Sequence, residues 1–283
     1  MSVKRFVITV LLVVIGVVAK GQVPDNDKIF AAIHDSKSQF YYPNLMMRYQ
    51  AGDPLTDEEY HYLYYGYAYQ TAYRPLSDNP GMTKVHNIMA RIAIDTPSVA
   101  DIDELIAACS EAMEMDPFSP KLLNFMVYAY GTAGDRVREK IYADHLAAIL
   151  RTIASSGTGA KEKEPMHIIF FSHGVDFIAA KGWNQRKGKI ISRTVEFVPF
   201  DVPKDKLKGY YFDYSRIYWN KPDDYTFEVS TSITAESIKI VLRGIASVAI
   251  EHGSLIISNH ANTNSYEETY TIFCTAIPHF RGL

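Results

Sequence analysis

The sequence predicts an α+β fold, with an N-terminal helical part built of repeat-like hairpins followed by a small β-rich part. Three observations predict it. Apolar residues recur at helical spacing, punctuated by caps, as far as about residue 153. The composition then changes at Ser155, where SSGTGAKEKEP is polar and glycine-bearing. Beyond that linker the apolar segments are short and rich in aromatic and β-branched residues, as strands are. The boundaries that follow are 22–154 for the helical part, 155–228 for the β-rich part and 229–283 for a C-terminal extension.

Residues 1–21 come first and set the compartment. Lys4 and Arg5 precede an apolar run over 6–18, and Ala19-Lys20-Gly21 fits a small-x-small cleavage site before Gln22. That run is shorter than the roughly 20 residues a spanning helix needs. The expectation is an exported protein of the periplasm or outer envelope, with no integral membrane segment once the signal is removed. Ile29, Phe30, Ile33 and His34 mark a first helix, and 43–50 a second ending near Gly52. The next helix has the clearest start. Thr56 and Glu59 form a capping box, Leu55 and Tyr60 are placed as a hydrophobic staple, and Asp57, Glu58 and Glu59 sit where the helix dipole favours negative charge. It should run to about Tyr73. Tyr60, Leu63, Tyr64 and Tyr67 form one stripe, and Tyr62, Tyr65, Tyr69 and Tyr73 a second. A helix apolar on two faces needs partners on both sides, so this one should be the central packing element.

Helices are expected over 82–94, across Ile102 to Met113, from Ser119-Pro120 to Gly134, and over 136–153. Pro120 stands at a first helical position, where its missing N–H costs nothing. The string AMEMDPFSPKLLNFMVYAYGTAGD resembles a tetratricopeptide repeat at its inter-helix junction; a plain helical hairpin explains the same string. Strands are expected over 167–172, 190–200 and 210–219, with a helix at 176–180. In the extension, 234–253 reads as an amphipathic helix and 255–257 and 270–274 as strands.

The segment YYPNLMMRY, the Gly-Asp before Leu-Thr, EEYHYLYYGY, the DPFSP turn and KGYYFDYSR together resemble an uncharacterised family of exported bacterial proteins, domain of unknown function 4919. The resemblance covers about residues 35–220 and implies no activity or catalytic residues.

Chemistry-bearing motifs are sparse. Forty-seven per cent hydrophobic and 22% charged residues give an ordinary globular balance, and the net charge of −3 offers no basic face for nucleic acid. Cys109 and Cys274 can pair in an oxidising compartment, or Cys109 can be a small buried hydrophobe. Nothing calls for a metal or cofactor, because neither HExxH nor paired-Cys spacing occurs. His167 and His173, with Asp176 close behind, are the candidates for a hydrolytic site, if the chain turns between them. Twenty tyrosines are the unusual count. Their plainest use is core between helices; a binding surface would fall to Tyr62, Tyr65, Tyr69 and Tyr73, since tyrosine pairs a flat apolar face with a polar tip. The leading expectation is a non-enzymatic interaction or scaffold protein contacting an envelope or periplasmic protein. The alternatives are a hydrolase acting on envelope glycan or peptide, and a carbohydrate-binding module using exposed tyrosines.

Overall fold

The computed structural model describes residues 22–92, 97–204 and 206–219. The expected signal peptide, the C-terminal helix and strands, and Cys274 lie outside these residues. Among them the chain forms helices α1 (Asn26–His34), α2 (Tyr42–Ala51), α3 (Asp57–Gly66), α4 (Pro80–Ile92), α5 (Val99–Met113), α6 (Pro120–Ala133), α7 (Arg136–Ser155) and α8 (Phe171–Ala180). Strands β1 (Met166–His167), β2 (Lys189–Ile190), β3 (Val195–Lys204) and β4 (Leu207–Asp213) form one sheet in the order β1-β4-β3-β2. The architecture is α+β, mostly helical at the start with a small sheet after it.

Local signals set many of the boundaries. Thr56 accepts from the Glu59 amide while Glu59 reaches back to the Thr56 amide, so the capping box of α3 is complete. Ser98 and Asp101 build a second box on α5. Gly52 and Gly134, at φ +76° and +78°, end α2 and α6 in the left-handed conformation that glycine adopts without strain. At Gly81 a Cβ would lie 2.6 Å from the Ala112 backbone nitrogen, so only glycine lets α4 come this close to α5.

α4, α5, α6 and α7 pack each on the next, and α7 also lies against α3, which touches α1 and α2. Two cores result. The larger gathers residues from α1–α3, α7, α8 and the sheet around the tyrosines of α3, with Tyr64, Tyr65 and Leu63 fully buried. The smaller lies between α4, α5 and α6 and is chiefly aliphatic, around Val85, Leu105, Cys109 and Leu122.

The structure corrects four spans. α3 stops at Gly66 and tightens into one 3₁₀ turn, Tyr67–Tyr69, instead of running to Tyr73. The Gln70 side chain donates to the Gly66 carbonyl and so meets one of the acceptors a helix end leaves open. The strand expected over 167–172 ends at His167, and α8 begins at Phe171; Ile168 and Ile169 between them are fully buried, and a short apolar run does not distinguish strand from other buried chain. The expected strand over 190–200 is β2, a turn closed by Ile191 and Ser192 N–H groups donating to the Val195 carbonyl, and β3. β4 likewise ends at Asp213, whose carboxylate accepts from the Ser215 amide and opens a 3₁₀ turn, Ser215–Tyr218.

Candidate functional site

The tyrosine hydroxyls of α3 and its flanks point at backbone and histidines from distant parts of the chain. Tyr65 donates to the His167 carbonyl at 3.0 Å, and Tyr73 to the Ile169 carbonyl at 2.7 Å. Tyr67 and Tyr49 donate to the carbonyls of Met115 and Pro117, on either side of Asp116. Burial pushes the Tyr64, Tyr65 and Tyr73 hydroxyls well above the ordinary tyrosine range, so all three stay protonated donors.

The sequence candidates are brought to three different places. His173 sits in α8 with no exposure; its Nε2 lies 3.1 and 3.0 Å from the two Asp116 oxygens, and its Nδ1 2.8 Å from the Tyr64 hydroxyl. A carboxylate only accepts, so Nε2 carries a proton, and Tyr64 closes the chain at Nδ1. An Asp–His–Tyr chain has the parts of a proton relay. Tyr64 and His173 are both at 0% exposure, so no substrate atom reaches them. The chain acts as a strut joining α3, α8 and the turn before α6. Asp176, three residues along α8, has the Lys121 ammonium 3.9 Å away.

His167 stands apart from both, at the end of β1, in register with Asp213 on the parallel strand β4. Its Nδ1 is 3.3 Å from Asp213 Oδ1, with side-chain exposures of 14% and 11%. Asp213 also accepts from the Thr194 hydroxyl at 3.0 Å and from the Ser215 amide and hydroxyl. Burial alone would raise the Asp213 carboxyl, but the neighbouring His167 ring and the hydrogen bonds from Ser215 outweigh it and hold it at about 2. Sequence reading singles out His167 but misses Thr194, Asp213 and Ser215. His167 and Asp213 are 46 positions apart in the sequence, and only the parallel register joins them.

Beside this cluster lies Arg216, 3% exposed. Its Nη2 donates to the Pro24 carbonyl at 3.0 Å and to Asn26 Oδ1, and its guanidinium lies over the rings of Tyr65 and Trp219 at 5.1 and 5.4 Å. Above it the surface turns aromatic. Trp219 (40% exposed) meets Tyr69 at 5.2 Å, Tyr69 meets Phe30 (51% exposed) at 5.5 Å, and Phe30 meets His34 at 4.3 Å. The ledge is held from behind, because the Tyr69 hydroxyl donates to the Asn26 carbonyl. Of the four candidate binding tyrosines, Tyr69 alone belongs to it. Tyr65 and Tyr73 are core, and Tyr62 stacks flat on Phe40 at 3.9 Å.

A helical layer carrying a small four-stranded sheet, with an aromatic ledge at their junction, is the class of domain these features define. The chain belongs to the family described as Domain of unknown function (DUF4919), whose model matches residues 27–222. No curated protein and no solved structure matches the chain.

Proposed function

We propose that this is an exported, non-enzymatic interaction protein of the periplasm or outer envelope, and that it grips a protein partner through the His34–Phe30–Tyr69–Trp219 ledge. The observation that carries the reading is the ledge itself, a run of rings with His34, Phe30 and Trp219 exposed and Tyr69 half-buried between them, fixed by Arg216 and Asn26 before any partner arrives. Aromatic anchors dominate protein interfaces, and ordering them in advance removes part of the entropy cost of binding. The ring angles favour a protein over a glycan. Neighbouring planes meet at 62° and 52°, whereas a sugar platform needs coplanar faces. The signal-like residues 1–21 support export, and the internal use of His173 fits a role without catalysis.

The test is in-cell crosslinking of the tagged full chain, followed by mass spectrometry. The expected result is a reproducible set of envelope proteins that disappears in the Phe30→Ala/Trp219→Ala variant, while that variant melts at the parent temperature. The same set recovered from the variant overturns the ledge as the contact.

A second reading, a hydrolase acting on envelope glycan or peptide, is favoured by one observation, the His167–Asp213 pair, whose side chains keep 14% and 11% exposure, beside two hydroxyls. It requires turnover of envelope fragments that vanishes in His167→Ala; turnover that survives this change removes the reading.

A further inference from the structure

The whole-chain charge of −3 conceals a local concentration of the opposite sign. Residues 181–208 hold eight of the 29 basic residues and three of the 32 acidic ones, which gives this segment +5. The densest part is the run RKGKIISR, 186–193, with four basic residues and no acid. The fold places this run along the outer edge of the sheet. Gln185 bridges Phe200, the Arg186 amide donates to the Pro199 carbonyl, and Lys189 and Ile190 pair with Phe197 and Glu196 of β3. Arg186, Lys187, Lys189 and Arg193 are all exposed.

Lysines on an edge strand have a common structural use, which is to prevent edge-to-edge aggregation. That use does not explain the isoleucines. Ile190 is 81% exposed and Ile191 42%, side by side on the same edge. A β-branched apolar pair left in water costs free energy and invites the aggregation the lysines would oppose. Basic side chains flanking exposed apolar ones are what an anionic bilayer surface selects: the cations meet phosphate headgroups and the apolar side chains enter the interface. No helix among the described residues is long and apolar enough to cross a membrane, so the contact is peripheral.

We infer that the 186–193 edge is a peripheral docking surface for an anionic phospholipid membrane. Lys187, Lys189 and Arg193 supply the attraction, with Arg186 partly neutralised by Asp201 at 3.3 Å, and Ile190 and Ile191 supply a shallow apolar insertion. The inference does not depend on the ledge or on a partner protein. It adds a second surface, on the sheet edge.

The experiment is flotation of the full chain with vesicles of phosphatidylcholine alone or mixed with phosphatidylglycerol, at low and raised salt. Binding is expected only with phosphatidylglycerol and should fall as salt screens it. Each basic side chain near such a surface contributes roughly fivefold in affinity, so Lys187→Glu/Lys189→Glu should weaken binding more than tenfold. Ile190→Ser/Ile191→Ser should leave a weaker, wholly salt-sensitive association. All four positions are exposed, and the parent circular dichroism spectrum is required of both variants. Equal binding to both vesicle types, or parental binding by the charge-reversed variant, overturns the assignment. Retention on an acidic polypeptide matrix with no vesicle binding also overturns it and assigns the edge to an acidic protein.

Discussion

The two cores of this domain are held by different physics. Between α4, α5 and α6 the buried side chains are mainly Val, Ile, Leu, Met and Ala, with Cys109 at 0% exposure, and cohesion comes from excluded water and close packing. Around α3 the same hydrophobic term is present but is joined by directional bonds. Six buried tyrosines, Tyr49, Tyr60, Tyr64, Tyr65, Tyr67 and Tyr73, end in hydrogen bonds to distant backbone or to histidine. An aliphatic core specifies volume, whereas this one also specifies which residue lies opposite which. The helical layer and the sheet therefore meet at the tyrosines, where β1, α8 and the turn before α6 are each pinned to α3.

Acid should separate the two regions most strongly. Burial pulls the pKa of His61, His86 and His145 from the ordinary value to about 4, with Arg216 adding to the effect at His61 and Lys121 at His86. Each folded value lies below the unfolded one, so the unfolded chain binds more protons in the window between them. Stability is fully present above pH 6.5 and drains as pH falls towards 4. The loss between pH 7 and 5 should be about 1–2 kcal/mol per histidine. His61 and His145 face the tyrosines and His86 lies on α4, so hydrogen exchange at pH 5 should loosen α3 and α7 before α5. Uniform loosening would break the comparison.

The next effect is a cavity. Leu105→Ala in the aliphatic core should cost about 2–5 kcal/mol by urea unfolding, because the site loses both transfer energy and contacts. Cooperative unfolding of both cores together would show them to be one unit; a separate early transition would show two.

Removing single oxygen atoms sharpens the contrast within the tyrosine core. Tyr64→Phe leaves His173 Nδ1 buried without its partner and should cost about 1–3 kcal/mol. Tyr42→Phe should be neutral or slightly stabilising, because the Tyr42 hydroxyl is buried and has no hydrogen-bond partner among the described residues. Equal costs for the two changes in thermal melting would mean that the hydroxyls matter only as volume.

The smallest effect should ignore the comparison altogether. Thr56→Ala on α3 and Ser98→Ala on α5 each remove one capping box and should each cost about 1 kcal/mol. A cap acts on its own first turn, so the kind of core behind it should not matter. A several-fold difference between the two would show that the α3 start is coupled to the tyrosine network.

How much was legible follows from the range of each interaction. The starts of α3 and α6 could be read to the residue because Thr56, Glu59, Ser119 and Pro120 act within one helical turn. The end of α3 could not, since the aromatic pattern continues to Tyr73 while the backbone turns at Gly66. At the candidate sites the chemistry of single residues was visible and their company was not. His167 and His173 are six residues apart, yet one faces Asp213 and the other Asp116. The basic edge was hidden for another reason: a whole-chain charge sums over faces, and only the strand order puts RKGKIISR on the outer edge of the sheet among the described residues.

The sequence by itself determined the helical first part, the change of composition at Ser155, the caps and the central place of the tyrosine helix, because these rest on contacts within a few residues or on periodicity. The tertiary structure alone decided that Tyr64, His173 and Asp116 form one sealed chain, that Asp213 meets His167, and that Phe30, Tyr69 and Trp219 share a surface. Those pairings join positions tens to nearly two hundred residues apart, and no local preference encodes a partner at that distance. They are fixed only when the two faces of α3 are buried and each hydroxyl must find an acceptor within reach.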